Sequence, residues 1–140
     1  MHRRPVHPCL TPPGTFNPVE ETIMANPFVH LELLSGDVAK TREFYGALFD
    51  WNVGHAPGMN YMIVKVGRGT CGGTAPCLGP GVPPQWLPHV HVEDVGDTLA
   101  RARALGATVM RDVTEVPGVG WCGILIDPGG APLALWQPKT

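Results

Sequence analysis

Apolar and polar residues alternate from residue 28 onward. Phe28, His30, Glu32 and Leu34 fall on one side, and Val29, Leu31 and Leu33 on the other, which is the period of a strand covered at least partly on both faces. Ser35-Gly36-Asp37 then supplies a turn and an N-cap, and Val38, Thr41, Phe44, Tyr45 and Leu48 recur at steps of three and four. This predicts an amphipathic helix over 38–48, with Phe44, Tyr45 and Leu48 in the core. Strands are predicted over 51–55, over 61–66 after a Pro57-Gly58 turn, and over 70–76. The order is βαβββ.

A Pro/Gly stretch over 79–84 separates this unit from a second one of the same order. A strand over 86–92 is followed by a helix over 94–105 stopped by Gly106, then by strands over 108–116, 121–126 and 133–136. Asp127-Pro128-Gly129-Gly130 is a strong turn signal between the last two. Shifting the sequence by 57 residues superposes Asp37, Val38, Thr41, Ala47 and Leu48 on Asp94, Val95, Thr98, Ala104 and Leu105, five identities in twelve positions. Equivalent caps and core contacts thus come into register, and the chain reads as a tandem duplication.

Composition narrows the function classes. With 140 residues, 44% of them apolar and 16% charged, the chain makes about one domain with a real core. Gly (18) and Pro (16) favour short strands and turns over a helical bundle. A net charge of -2 offers no basic stripe for nucleic acid, and no apolar run approaches the ~20 residues of a membrane span. Residues 1–25 carry five prolines and little periodic pattern, and read as a disordered or non-native extension. Met24 is one candidate for the natural start and a genuine tail is the alternative. The prolines also break any secretory signal, so a cytoplasmic protein is expected. Cys9, Cys71, Cys77 and Cys122 form no C-x-x-C pair and read as reduced, mostly packing residues, including Cys71 beside Gly72-Gly73. Gly67-Arg68-Gly69-Thr70 lacks the spacing and lysine of a phosphate loop, and no Gly-x-Ser-x-Gly elbow exists.

The two βαβββ units, Glu43-Phe44-Tyr45-Gly46-Ala47-Leu48-Phe49 after Asp37-Val38, and the closing Asp127-Pro128-Gly129-Gly130 resemble the glyoxalase/bleomycin-resistance/dioxygenase superfamily, the vicinal oxygen chelate proteins. Gly72-Gly73 and Trp86-Leu87-Pro88 are similar to its two-module single-chain members. The resemblance implies an α+β domain over 26–138, with module one at 26–78 and module two at 84–138. These would form an open, cup-shaped mixed sheet with helices outside. It further implies a divalent metal held by four side chains from the first and last strands of each module. Seven residues before Asp37 stands His30, which matches the first-strand ligand; seven before Asp94 stands Leu87. The fourth-strand position falls at Gly73 or Thr74, and the last-strand position is Ala134 where the enzymes carry Glu. One donor of four survives, and one imidazole cannot hold such a cation. No cofactor is therefore expected at the usual place.

Strand alternation nevertheless puts His30 and Glu32 on one face, and Leu87, His89 and His91 together on another that the resemblance turns toward the same cup. Three readings stay open. His30, Glu32, His89 and His91 could hold a shifted metal; the histidines could be neutral, hydrogen-bonded pocket residues with Glu32 paired to an Arg or to solvent; or Glu32 with His89 or His91 could carry metal-free acid–base chemistry. Four Trp together with Met59, Tyr61 and Met62 suggest an aromatic-lined pocket, and Trp136, in phase with Ala134, should face the cup. The expected function is binding of a small, partly apolar or aromatic ligand by His30, Glu32, Thr74, Leu87, His89, His91 and Trp136. The alternative is a divalent-metal-dependent lyase, isomerase or dioxygenase. Homodimer formation is a further implication of the resemblance.

Overall fold

The computed structural model describes residues 26–55, 61–76 and 83–140. The N-terminal extension, the Pro57-Gly58 turn, Met59, Cys9 and Cys77 lie outside them. The order is β1 (Phe28–Ser35), α1 (Val38–Leu48), β2 (Asn52–His55), β3 (Met62–Lys65), β4 (Gly72–Pro76), β5 (Gln85–His91), α2 (Val95–Ala104), β6 (Thr108–Val116), β7 (Gly120–Ile126) and β8 (Pro132–Pro138).

All eight strands form one open mixed sheet in the order β2-β3-β4-β1-β5-β8-β7-β6. In each half the first strand runs parallel to the fourth, β1 with β4 and β5 with β8. The other neighbours are antiparallel, including β1 with β5 at the seam. The order thus reads the same outward from the seam on either side, as a duplicated unit requires. Among the described residues no helix is long and apolar enough to cross a membrane.

Both helices start as the caps predict. Asp37 Oδ1 accepts from the Lys40 amide at 3.1 Å and Asp94 Oδ1 from the Asp97 amide at 2.9 Å, so each carboxylate satisfies an otherwise orphaned first-turn donor. Gly106 ends the second helix at φ +102°, and in the turn before β8 Asp127 Oδ1 accepts from the amides of Gly129 and Ala131.

The helices pack differently. Val95 and Leu99 of α2 are fully buried with Val92, Leu125 and Leu135. Gly123 makes this possible, because a Cβ there would lie 2.9 Å from both Leu99 and Val95. The Val95 amide also donates to Gln137 Oε1 at 2.9 Å, tying the helix to β8. Helix α1 buries no residue. Phe44 and Leu48, expected in the core, are 58% and 55% exposed, which corrects that expectation. The reason is local: the ring that turns to the sheet is Tyr45, which stacks on Trp51 and meets Trp86 edge-on, leaving its helical neighbours outside. A second correction concerns Cys71, which is disulfide-bonded and not a reduced packing residue, whereas Cys122 is free.

Candidate functional site

Register decides which side chains meet. His30 lies opposite His89, and Glu32 opposite Leu87, across the β1–β5 seam. Along β8, Ala134 lies opposite His89 and Trp136 opposite His91, while Cys122 and Ile124 of β7 lie opposite Trp136 and Ala134. All of these belong to the face of the sheet without helices. Leu33 and Thr74 pair on the other face, where the Thr74 hydroxyl donates to the Leu33 carbonyl at 3.0 Å. Thr74 is buried against the α1 side, so of the two fourth-strand positions considered it is Gly73, level with Glu32, that faces the histidines. Three tryptophans are also on the helix side. Trp51 stacks on Tyr45 and Trp86 meets it edge-on, Trp121 packs beside the α2 cluster, and only Trp136 shares the face of His30.

The helix-free face is divided. Leu34, Leu87, Ile124 and Ala134 make a buried apolar cluster, with Leu87 and Ala134 at 1% and 0% exposure. Beside it lies a polar group. His30 Nε2 and the Tyr61 hydroxyl are 2.6 Å apart, and that hydroxyl donates to Glu32 Oε1 at 3.2 Å. One proton order satisfies both contacts: His30 Nε2–H donates to the Tyr61 oxygen, whose own proton goes to Glu32. The His89 ring meets the His30 ring edge-on at 5.1 Å, its Nδ1 donates to the Leu87 carbonyl at 3.2 Å, and its Nε2 points at Glu32 Oε1 from 3.9 Å. Gly73 gives Tyr61 its place, since any Cβ there would coincide with the phenol.

Burial shifts each group toward its neutral form. It lowers His30 to about 4, with His89 adding to the effect, and it lowers His89 against a smaller opposing pull from the Leu87 carbonyl. It raises Glu32, partly offset by the Tyr61 hydrogen bond and the Arg111 charge. It raises Tyr61, with Glu32 adding to the rise, and also Cys122, where the nearby Arg111 guanidinium pulls the thiol back down.

Arg111 of β6 and Cys122 of β7 were not among the residues expected from the sequence. β6 is four strands from β1, about 19 Å in a flat sheet at ~4.8 Å per strand. Arg111 nonetheless acts on Glu32 across the cup of the open sheet. His91 takes part differently: its amide donates to the Pro27 carbonyl, its carbonyl accepts from Asn26, and its ring joins none of the contacts around Glu32.

The donors do not fit a metal ion. Tyr61 occupies His30 Nε2 and Glu32 Oε1, Leu87 and Ala134 bring only carbon, and among the described residues no three His, Cys, Asp or Glu side chains are grouped to hold one. The arrangement is suited instead to hydrogen-bonding a small, partly polar ligand, and to moving a proton at Glu32.

A family model described as a glyoxalase-like domain matches residues 29–136. The chain belongs to that family. It is 36% identical over 83 residues to CFP32 of Mycobacterium bovis and of Mycobacterium tuberculosis, a protein provisionally named a glyoxylase. The match covers 59% of this chain, which spans about a third (32%) of the length of those relatives. In fold, the glyoxalase-like domain is similar to methylmalonyl-CoA epimerase from M. tuberculosis, with a TM-score of 0.59 at 16% identity over 81% of this chain and 88% of the other. It is also similar to an extradiol ring-cleaving dioxygenase from B. fuscum, with a TM-score of 0.55 at 23% identity over 81% of this chain and 32% of that one.

Proposed function

We propose that this glyoxalase-like domain binds a small, partly apolar or aromatic molecule at the mouth of the cup without a complete metal site, in the manner of a sequestering protein. The observation that carries the reading is the apolar cluster of Leu34, Leu87, Ile124 and Ala134, which stands where the superfamily resemblance implies two metal ligands. A buried hydrocarbon cluster beside a few polar groups suits a partly apolar ligand better than a cation, and the half-buried Trp136 offers a ring for stacking. The neighbours in fold are named for small molecules as well, one for methylmalonyl-CoA and one for ring cleavage.

A second reading is metal-free proton transfer. It is supported by the Glu32 carboxyl, raised by burial and in contact with Tyr61. In that reading Glu32 takes the proton and Tyr61 and His30 hold it in place. The metal-dependent lyase, isomerase or dioxygenase needs a ligand set that the present side chains do not form.

The test is a titration of the purified protein with benzyl alcohol, following the ring resonances of His30 and His89 and the Trp136 indole, with and without added zinc or manganese. Saturable shifts that are the same with and without metal are expected. A stoichiometric metal in the protein as purified, lost in His30→Ala, would overturn sequestration in favour of the metal enzyme.

A further inference from the structure

Strand β6 contains two irregularities, and the first re-aims one residue. Val109 lies opposite Leu125 on the helix side, so strict alternation would place Met110 opposite Ile124 and turn Arg111 toward α2. The register instead slips by one residue and sets Arg111 opposite Ile124, on the cup side. It slips again before Thr114, which lies opposite Cys122. Bulges of this kind re-aim a side chain, and an edge strand tolerates them because one of its rims carries no ladder. Arg111 is exposed, yet its charge reaches both Glu32 and Cys122 in the cup. No carboxylate closes on it: the ion pairs within 4 Å among the described residues are His89–Glu32, Arg103–Asp112 and Lys139–Glu115.

Resting on the reading of the cup as a ligand site, we propose that Arg111 is its specificity-determining residue and that the ligand carries a carboxylate, paired with the Arg111 guanidinium while its apolar body lies against Trp136. A guanidinium presents a planar fork of donors that matches a carboxylate two bonds at a time. The choice of a carboxylate over a phosphate follows from charge. Arg111, set on the cup side by the register, brings one positive charge, which balances a monoanion and leaves a dianion half compensated.

The experiment compares benzoate, benzamide and phenyl phosphate on the full chain by calorimetry and ring-resonance shifts, in the parent and in Arg111→Ala and Arg111→Lys. Benzoate is expected to bind the parent more tightly than benzamide and to weaken about 10-fold or more in R111A, the size of one charge-assisted contact. Benzamide should bind parent and R111A alike, which also shows that the variant is folded, and R111K should fall between. Equal benzoate affinity in parent and R111A overturns the assignment, and so does an equal loss for benzamide. Phenyl phosphate binding more tightly than benzoate overturns the carboxylate. If benzamide binds and benzoate shows no preference, the inference alone fails; if none of the three binds, the ligand-site reading fails with it.

Discussion

Gly73 carries no side chain because the phenol of Tyr61 fills the space a Cβ would need. Gly73→Ala should therefore push Tyr61 off His30 and let water reach the imidazole. The His30 pKa is then expected to climb from about 4 toward its ordinary 6.5, read from its ring protons across a pH series. An unchanged value would show that Tyr61 does not shield it. The same histidine links stability to pH. Its folded pKa lies below its unfolded one, so the unfolded chain takes up a proton that the fold refuses. His30 therefore contributes in full above pH 6.5, and the contribution fades as the pH falls toward 4, by up to about 3 kcal/mol. Glu32 is shifted the other way, so its contribution is present at low pH and lost as the pH rises above 4.5. Urea unfolding from pH 7 to pH 4 should show the parent losing more stability than His30→Asn; parallel curves would refute the assignment. At this scale much of the candidate site's geometry was legible. His30, Glu32 and His89 were found from alternation and from spacing to the helix caps, and the structure brings them together. Tyr61 was seen only as an aromatic residue, although a glycine in a strand marks a close approach.

The two helices show how far a pattern can be trusted. Both have a capping Asp and apolar residues at helical spacing, and both form where expected. Periodicity says which residues share a face; it does not say that anything covers that face. In α2 the cover exists, because Gly123 lets the helix approach and Gln137 fixes its first turn. In α1 the aromatic residues mainly contact one another. Leu99→Ala should thus cost about 2–5 kcal/mol, since it opens a cavity in a closed core. Phe44→Ser should stay within about 0.5 kcal/mol, as for an exposed position. Chemical denaturation measures both, and a comparable loss in the two variants would mean that α1 is covered in solution. The bulges of β6 were beyond reach from sequence, since Thr-Val-Met-Arg-Asp-Val-Thr-Glu-Val contains no glycine to announce them. Arg111 was missed for that reason.

At the scale of the molecule, the strand order about the β1–β5 seam came from the structure, while the repeat of one βαβββ unit was legible from the shift of 57 residues, because caps and core positions repeat together. The curl that carries β6 round toward β1 was not, since it depends on twist summed over strands that share no local signal. The duplication also has an outcome in time. Two helices of common design, one bedded on Gly123 and one resting on a loose aromatic layer, will not open together. Amide protons of α1 should exchange with deuterium through small local excursions, while those of α2 should wait for opening on the scale of the whole fold. Mass-resolved exchange would read this directly, and equal protection of the two helices would contradict it. A sheet built from matched halves would then breathe from one side, and the side that stays shut is the one that supplies Arg111.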